Sequence, residues 1–83
     1  MKYQVVITKK AQKGLNKIPN PYYQKIIATF AILGSDPFCG KKLGAKHKGE
    51  WSFRVWPYRI IYKIIDLELV ILIVKVGHRQ GVY

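Results

Sequence analysis

From Trp51 to Val76 the chain is rich in β-branched, aliphatic and aromatic residues, broken at Trp56-Pro57 and at Asp66-Leu67-Glu68. That composition predicts three strands, Trp51–Val55, Tyr58–Ile65 and Leu69–Val76. Side chains alternate between the faces of a strand. One face then carries Trp51, Phe53, Val55, Tyr58, Ile60, Tyr62, Ile64, Val70, Leu72, Val74 and Val76. The other carries Ser52, Arg54, Arg59, Ile61, Lys63, Ile71, Ile73 and Lys75. Every cation of the segment falls on the second face. A two-residue turn at Trp56-Pro57 pairs Arg54 with Arg59. Proline is disfavoured at the second central position of such a turn unless its bond is cis, which leaves a turn wider than two residues open as the alternative. An odd-length loop at 66–68 keeps the apolar faces together and sets Lys75 beside Arg59. Like charges opposite each other destabilise a sheet. Three cations in a row across strands therefore imply a bound anion.

The preceding half supplies the cover for the apolar face. Tyr3–Ile7 reads as a strand. Thr8 can cap a helix over Lys9–Ile18, with Ala11, Leu15 and Ile18 on one side. Pro19 ends it. Asn20 is placed to cap a second helix that begins at Pro21, with the stripe Tyr23, Ile26, Ile27, Phe30 and Leu33 and a stop at Gly34. The stretch Ser35–Glu50 reads as a loop rich in glycine and lysine. The order β-α-α-β-β-β predicts an α+β domain spanning residues 1–83. Its helical hairpin packs on one face of a mainly antiparallel four-stranded sheet.

Charge narrows the partners. Fifteen cations face four acids, a net of +11 on 83 residues. Such a balance favours a polyanion or an acidic protein. Ten lysines lie in the first fifty residues, and all three arginines lie beyond them. A guanidinium presents a fixed fork that fits phosphate, whereas lysine is a mobile point charge. Arginines confined to the strands and the chain end thus point to a built anion site on a generally basic surface. A lone cysteine, Cys39, permits no internal disulfide and fits a reducing compartment, the cytoplasm. No segment resembles a signal peptide, and the apolar run Leu69–Val74 is far short of the ~20 residues that span a membrane.

The run Phe53-Arg54-Val55-Trp56-Pro57-Tyr58-Arg59-Ile60-Ile61-Tyr62, followed by Val76-Gly77-His78-Arg79 and Tyr83, resembles the RelE toxins of the RelE/ParE toxin–antitoxin superfamily. The element order, size and basicity agree with that likeness over the whole chain. The resemblance implies a toxin that cleaves mRNA in the ribosomal A site. The substrate's 2′-hydroxyl attacks the adjacent phosphate, giving a 2′,3′-cyclic phosphate and a 5′-hydroxyl end without a metal or other cofactor. A lone Cys39 with two distant histidines likewise offers no zinc site.

By the same resemblance, Arg54 stands at a catalytic strand position and Arg59 at the phosphate-binding position after the turn. Arg79 matches the C-terminal catalytic arginine, and Tyr83 the tyrosine that stacks on a base or shares in proton transfer. His78 is a basic residue beside Arg79 and a further catalytic candidate, although strict alternation points it to the core face. Ser52 stands where some members carry a second lysine, and arginine is a poor base because it stays charged. The C-terminal helix of some members has no counterpart before Tyr83. Lys9, Lys10 and Lys13 of the first helix, with Lys41, Lys42, Lys46 and Lys48 of the loop, are the expected grip on ribosomal RNA. The implied partners are the ribosome with its mRNA and an acidic antitoxin, through which the toxin would meet operator DNA indirectly. Two other readings on the same fold are a ParE-like gyrase inhibitor and a non-catalytic nucleic-acid-binding module.

Overall fold

The computed structural model describes residues 2–44 and 47–78. The elements are β1 (Gln4–Ile7), α1 (Lys9–Asn16), α2 (Tyr22–Ser35), β2 (Lys41–Lys42), β3 (Glu50–Val55), β4 (Tyr58–Ile65) and β5 (Val70–His78). Short 3₁₀ turns fill Pro37–Cys39 and Asp66–Glu68. The sheet has five strands in the order β1-β5-β4-β3-β2, with β1 parallel to β5 and the other neighbours antiparallel. The α+β class and the helical cover are as expected. The additional strand is β2, which lies in the predicted loop and pairs Lys41 with Ser52 and Lys42 with Trp51. Two lysines on a short edge strand also discourage pairing with another chain.

Both helices begin and end where local chemistry dictates. Thr8 caps α1 by accepting from the Ala11 amide at 3.2 Å. The amides of Lys17 and Ile18 reach back only three residues, to Gly14 and Leu15. That tightening ends α1 at Asn16, before the expected Ile18, yet leaves Ile18 in the core. The second helix starts at Tyr22 and is capped by Pro21 without a side-chain hydrogen bond, so the cap predicted for Asn20 is absent. The Pro21 backbone already has near-helical angles, and its carbonyl accepts from Lys25. Gly34 is not the stop, because α2 runs on to Ser35. A Cβ at Gly34 would meet the Tyr3 carbonyl at 3.1 Å, so this glycine serves close approach to the start of β1.

The core joins Ala11, Leu15 and Ile18 to Ile26, Phe30 and Leu33 over Ile60, Tyr62, Ile71, Ile73 and Val76. In α2 the predicted stripe holds at Tyr23, Ile26, Phe30 and Leu33 and fails only at Ile27. Ile27 is 39% exposed and Thr29 is buried, its hydroxyl donating to the Lys25 carbonyl at 2.8 Å. Residues 26, 29, 30 and 33 share a face at 3.6 residues per turn, and residue 27 lies 100° around.

In β5 the expected parity holds only at its end. Ile71 and Ile73 are fully buried on the helix side, in place of Leu72 and Val74. A bulge explains the change: Ile61 pairs with Lys75, but Tyr62 pairs with Ile73, leaving Val74 as the extra residue. The carbonyls this exposes have a partner, since the Thr8 hydroxyl lies 2.9 Å from the Ile73 oxygen and 3.2 Å from that of Val74. None of the described helices is long and apolar enough to cross a membrane.

Candidate nucleic-acid interface

The helices cover one side of the sheet and leave the other open. Strands β3 and β4 meet at a two-residue turn, Trp56-Pro57, whose peptide bond is cis. That geometry accommodates proline at the second turn position. The register places Val55 opposite Tyr58 and Arg54 opposite Arg59, as the sequence predicts. Lys41 lies opposite Ser52 and therefore shares the arginine face, one step along from Arg54. The sequence does not predict this placement, because it reads as loop over β2. Lys42, on the alternate parity, belongs to the helix face.

The bulge corrects the expected row of three cations. Arg59 faces Gly77 across β5, and Lys75 faces Ile61, so Lys75 is a diagonal neighbour of Arg59. A groove of about 500 Å³ opens on the β2–β3 side of Arg59, lined by Lys41, Ser52, Arg54 and Arg59 with the turn residues Cys39 and Gly40. Ser52 and Ile61 face each other and are both buried, at 7% and 3% exposure. Arg54 is exposed, while Arg59 is half-buried with its Nε away from solvent. An anion bound here would meet guanidiniums over a floor of low polarity, where charge attraction is stronger than in water.

The neighbouring titratable groups are poorly suited to carry protons. The Tyr62 hydroxyl is on the helix side and donates to the Pro37 carbonyl at 2.7 Å. Burial, with a smaller contribution from nearby Cys39, pushes its pKa up to about 12. Partial desolvation and the charge of Asp36 raise the Cys39 thiol pKa. Among the described residues no cluster of His, Cys, Asp and Glu has the makings of a metal site.

The remaining predicted residues divide between surfaces. The resemblance places His78 in the catalytic set, but β5 runs unbroken through Gly77 and alternation turns His78 to the helix side. It lies opposite Tyr58, with ring centroids 6.0 Å apart and edge-on, across the sheet from the arginine pair. Lys9, Lys10 and Lys13 are exposed on α1, also on the helix side. Lys48 is exposed in the turn before β3, near the contact of His47 Nδ1 with Glu50 Oε1 at 3.1 Å. Arg79, Tyr83 and Lys46 lie outside the described residues.

Comparison with known proteins gives concordant results. A family model described as the ParE toxin of the type II toxin–antitoxin system parDE matches residues 5–83. Toxin RelG of Mycobacterium tuberculosis is 32% identical over 85 residues, covering 100% of this chain and 98% of that protein. The RelBE2 toxin–antitoxin complex of the same organism superposes with a TM-score of 0.86 at 32% identity, over 95% of this chain and 100% of the other. The archaeal RelE–RelB complex of Pyrococcus horikoshii gives 0.83 at 29% identity, over 98% and 99%.

Proposed function

This chain belongs to the RelE/ParE superfamily of type II toxin–antitoxin toxins, and from that membership we propose that it is a ribosome-dependent mRNA endoribonuclease. The observation that carries the reading is the cross-strand pairing of Arg54 with Arg59 on the open face. A sheet gains nothing from two opposed guanidiniums, whereas a phosphate between them is held by two forks of donors.

In the proposed reaction the scissile phosphate sits on Arg54 and Arg59. The 2′-oxygen of the preceding ribose attacks phosphorus and loses its proton. The bond to the 5′-oxygen breaks, and that oxygen takes up a proton as it leaves. The arginines stabilise the charge that builds on the phosphoryl oxygens, and Lys41 adds to the field. Arg79 and Tyr83 are carried into the site by the family resemblance alone. His78 is assigned a positioning role beside Tyr58. The base is the weak part of this set, because arginine stays charged and Tyr62 and Cys39 have raised pKa values. Alignment of the 2′-oxygen with the leaving group can contribute roughly 7–11 kcal/mol, and the ribosomal A site would supply it. Lys9, Lys10, Lys13, Lys41, Lys42, Lys46 and Lys48 would hold ribosomal RNA.

The partner that silences the toxin is proposed to be an acidic antitoxin, since the solved relatives include toxin–antitoxin complexes and this chain carries +11. The test is to incubate the protein with one message, with and without programmed ribosomes, and to map 5′ ends by primer extension. Cuts confined to the A-site codon of translated message support the proposal. Equal cutting of bare RNA would make the protein a free ribonuclease. The matching family model is that of ParE toxins, which favours gyrase inhibition as the second reading. Loss of gyrase supercoiling without any RNA cleavage would establish it.

A further inference from the structure

Arg54 and Arg59 can bind a phosphate, but they cannot supply the proton that its leaving oxygen takes up, because a guanidinium stays charged. Lys41 lines the same groove as the two arginines. It lies opposite Ser52, a small residue that is itself buried, and so stands on the arginine face one strand away from Arg54. We propose that Lys41 is the general acid of the cleavage: its ammonium donates a proton to the 5′-oxygen as that oxygen leaves phosphorus. This inference rests on the ribonuclease reading above.

The side chain of Lys41 is exposed, yet the backbone that carries it is fixed on both sides. Before it, the buried Tyr62 hydroxyl donates to the Pro37 carbonyl at 2.7 Å and anchors the turn that leads into β2. A Cβ at Gly40 would lie 2.7 Å from the Ser52 carbonyl oxygen, so the chain enters β2 pressed against β3. After it, the Leu43 amide donates to the Glu50 carbonyl at 2.9 Å. Arg54 is two residues along β3 from Ser52 and is therefore the diagonal neighbour of Lys41 on one face. Diagonal neighbours stand about 7–8 Å apart, within reach of long side chains. A phosphate on Arg54 is then within reach of the ammonium. Lysine has three N–H donors and no acceptor, so it enters the reaction as a proton donor. Its flexible stem can follow a departing oxygen, whereas the arginine forks hold the phosphoryl group. The step balances. The 2′-oxygen bonds to phosphorus and releases its proton to water. The bond from phosphorus to the 5′-oxygen breaks, its electron pair stays on that oxygen, and Lys41 Nζ protonates it. The neutral amine then recovers a proton from water. Among the described residues lining the groove, Cys39 is the only other one that can release a proton. Desolvation and Asp36 raise its pKa, and a neutral thiol brings no charge to the phosphate.

The experiment measures single-turnover cleavage on programmed ribosomes for wild type, Lys41→Arg, Lys41→Met and Cys39→Ala. Two synthetic messages are compared, one ordinary and one with sulfur in place of the 5′-oxygen at the linkage that wild type cuts. On the ordinary message Lys41→Arg and Lys41→Met should each lose about 10²- to 10⁴-fold in rate, the range of general acid catalysis. Arginine keeps the charge but cannot release a proton. A thiolate is a good leaving group without protonation, so on the sulfur message Lys41→Arg should return to within about tenfold of wild type. Cys39→Ala should match wild type on both messages. All four proteins should melt together, because residues 39 and 41 are exposed. If Lys41→Arg cuts the ordinary message as wild type does, Lys41 contributes charge alone; the inference fails and the ribonuclease reading stands. Equal losses on both messages would make Lys41 a binding residue and overturn the inference as well. A loss in Cys39→Ala that the sulfur message restores would make the thiol the donor, with the same result. Absence of cutting of the ordinary message by wild type would overturn both the inference and the reading beneath it.

Discussion

Arg54 is where stability and activity should separate most clearly. It is exposed, opposed to a second guanidinium, and remote from the core cluster. Replacing it with threonine removes a repulsion and installs a good strand former. Arg54→Thr is expected to stabilise the fold by about 0.2–1 kcal/mol, raising Tm by a few degrees, while abolishing toxicity. Thermal melts beside a growth assay test this, and a lower Tm would show that Arg54 supports the sheet. Arg59→Ala should lower kcat by about 10²- to 10³-fold, as loss of one donor to a developing oxyanion does, with the variant still folded. Circular dichroism and single-turnover cleavage report the two halves of that claim. Tyr62 gives the opposite case, a residue of structural rather than chemical value. Its pKa is raised from 10.0 to about 12 by burial, so the fold favours the protonated phenol. The stability this contributes is complete below pH 10 and is lost as pH rises towards 12. The loss amounts to about 2–3 kcal/mol over that window. Denaturation curves on either side of about pH 10 should show a larger loss for wild type than for Tyr62→Phe, with lysine titration common to both. Equal losses would mean that Tyr62 ionises without hindrance.

At the scale of elements, Gly14 decides how α1 meets the sheet. A Cβ there would fall 2.0 Å from the Val76 carbonyl oxygen, which is backbone and cannot swing away. Glycine to alanine inside a helix ordinarily stabilises by about 0.5–1 kcal/mol. Here overpacking should reverse the sign, and Gly14→Ala should cost about 1–3 kcal/mol or more by chemical denaturation. A stabilised variant would mean that α1 can lift from β5. The same close approach illustrates what the sequence could and could not disclose. The strands β3 and β4, their register and the Arg54–Arg59 pair are legible because apolar and charged residues alternate there. In Val70–Val74 every residue is aliphatic, so either parity satisfies the core and nothing local reports a bulge. The deciding partner is Thr8, distant in sequence, which bonds the Ile73 carbonyl. Lys41 escapes a sequence reading as a member of the arginine face for a related reason. A two-residue edge strand carries no periodicity, and its register comes from Trp51 and Ser52. His78 follows strict alternation because β5 does not break at Gly77.

The molecule as a whole presents positive charge on both sides of its sheet. Arg54, Arg59, Lys41 and Lys75 share the open face, while Lys9, Lys10 and Lys13 project from α1 beyond the core. Only four acids, Asp36, Glu50, Asp66 and Glu68, oppose fifteen cations, so they do little to offset either set. A phosphate on the arginine face cannot also touch α1, because the sheet and the core lie between them. The two surfaces should therefore affect different kinetic constants. Helix lysines would raise ribosome affinity by neutralising ribosomal phosphates, and the arginines would act on the reacting phosphate. The triple substitution Lys9→Glu, Lys10→Glu, Lys13→Glu is expected to raise KM for programmed ribosomes at least about tenfold at physiological salt. It should also flatten the slope of log affinity against log salt by about 2–3, roughly one for each phosphate that no longer meets a lysine. Its kcat at saturating ribosomes should stay within about threefold of wild type, since uniform binding is what it removes. Arg59→Ala should show the converse, a large fall in kcat with a nearly unchanged salt slope. Exposed lysines make little contribution to the core, so the triple variant should melt with wild type. Titrating ribosomes from low to physiological ionic strength with both variants separates the two roles. A fall in kcat for the helix variant would place α1 near the chemistry and contradict the two-sided arrangement.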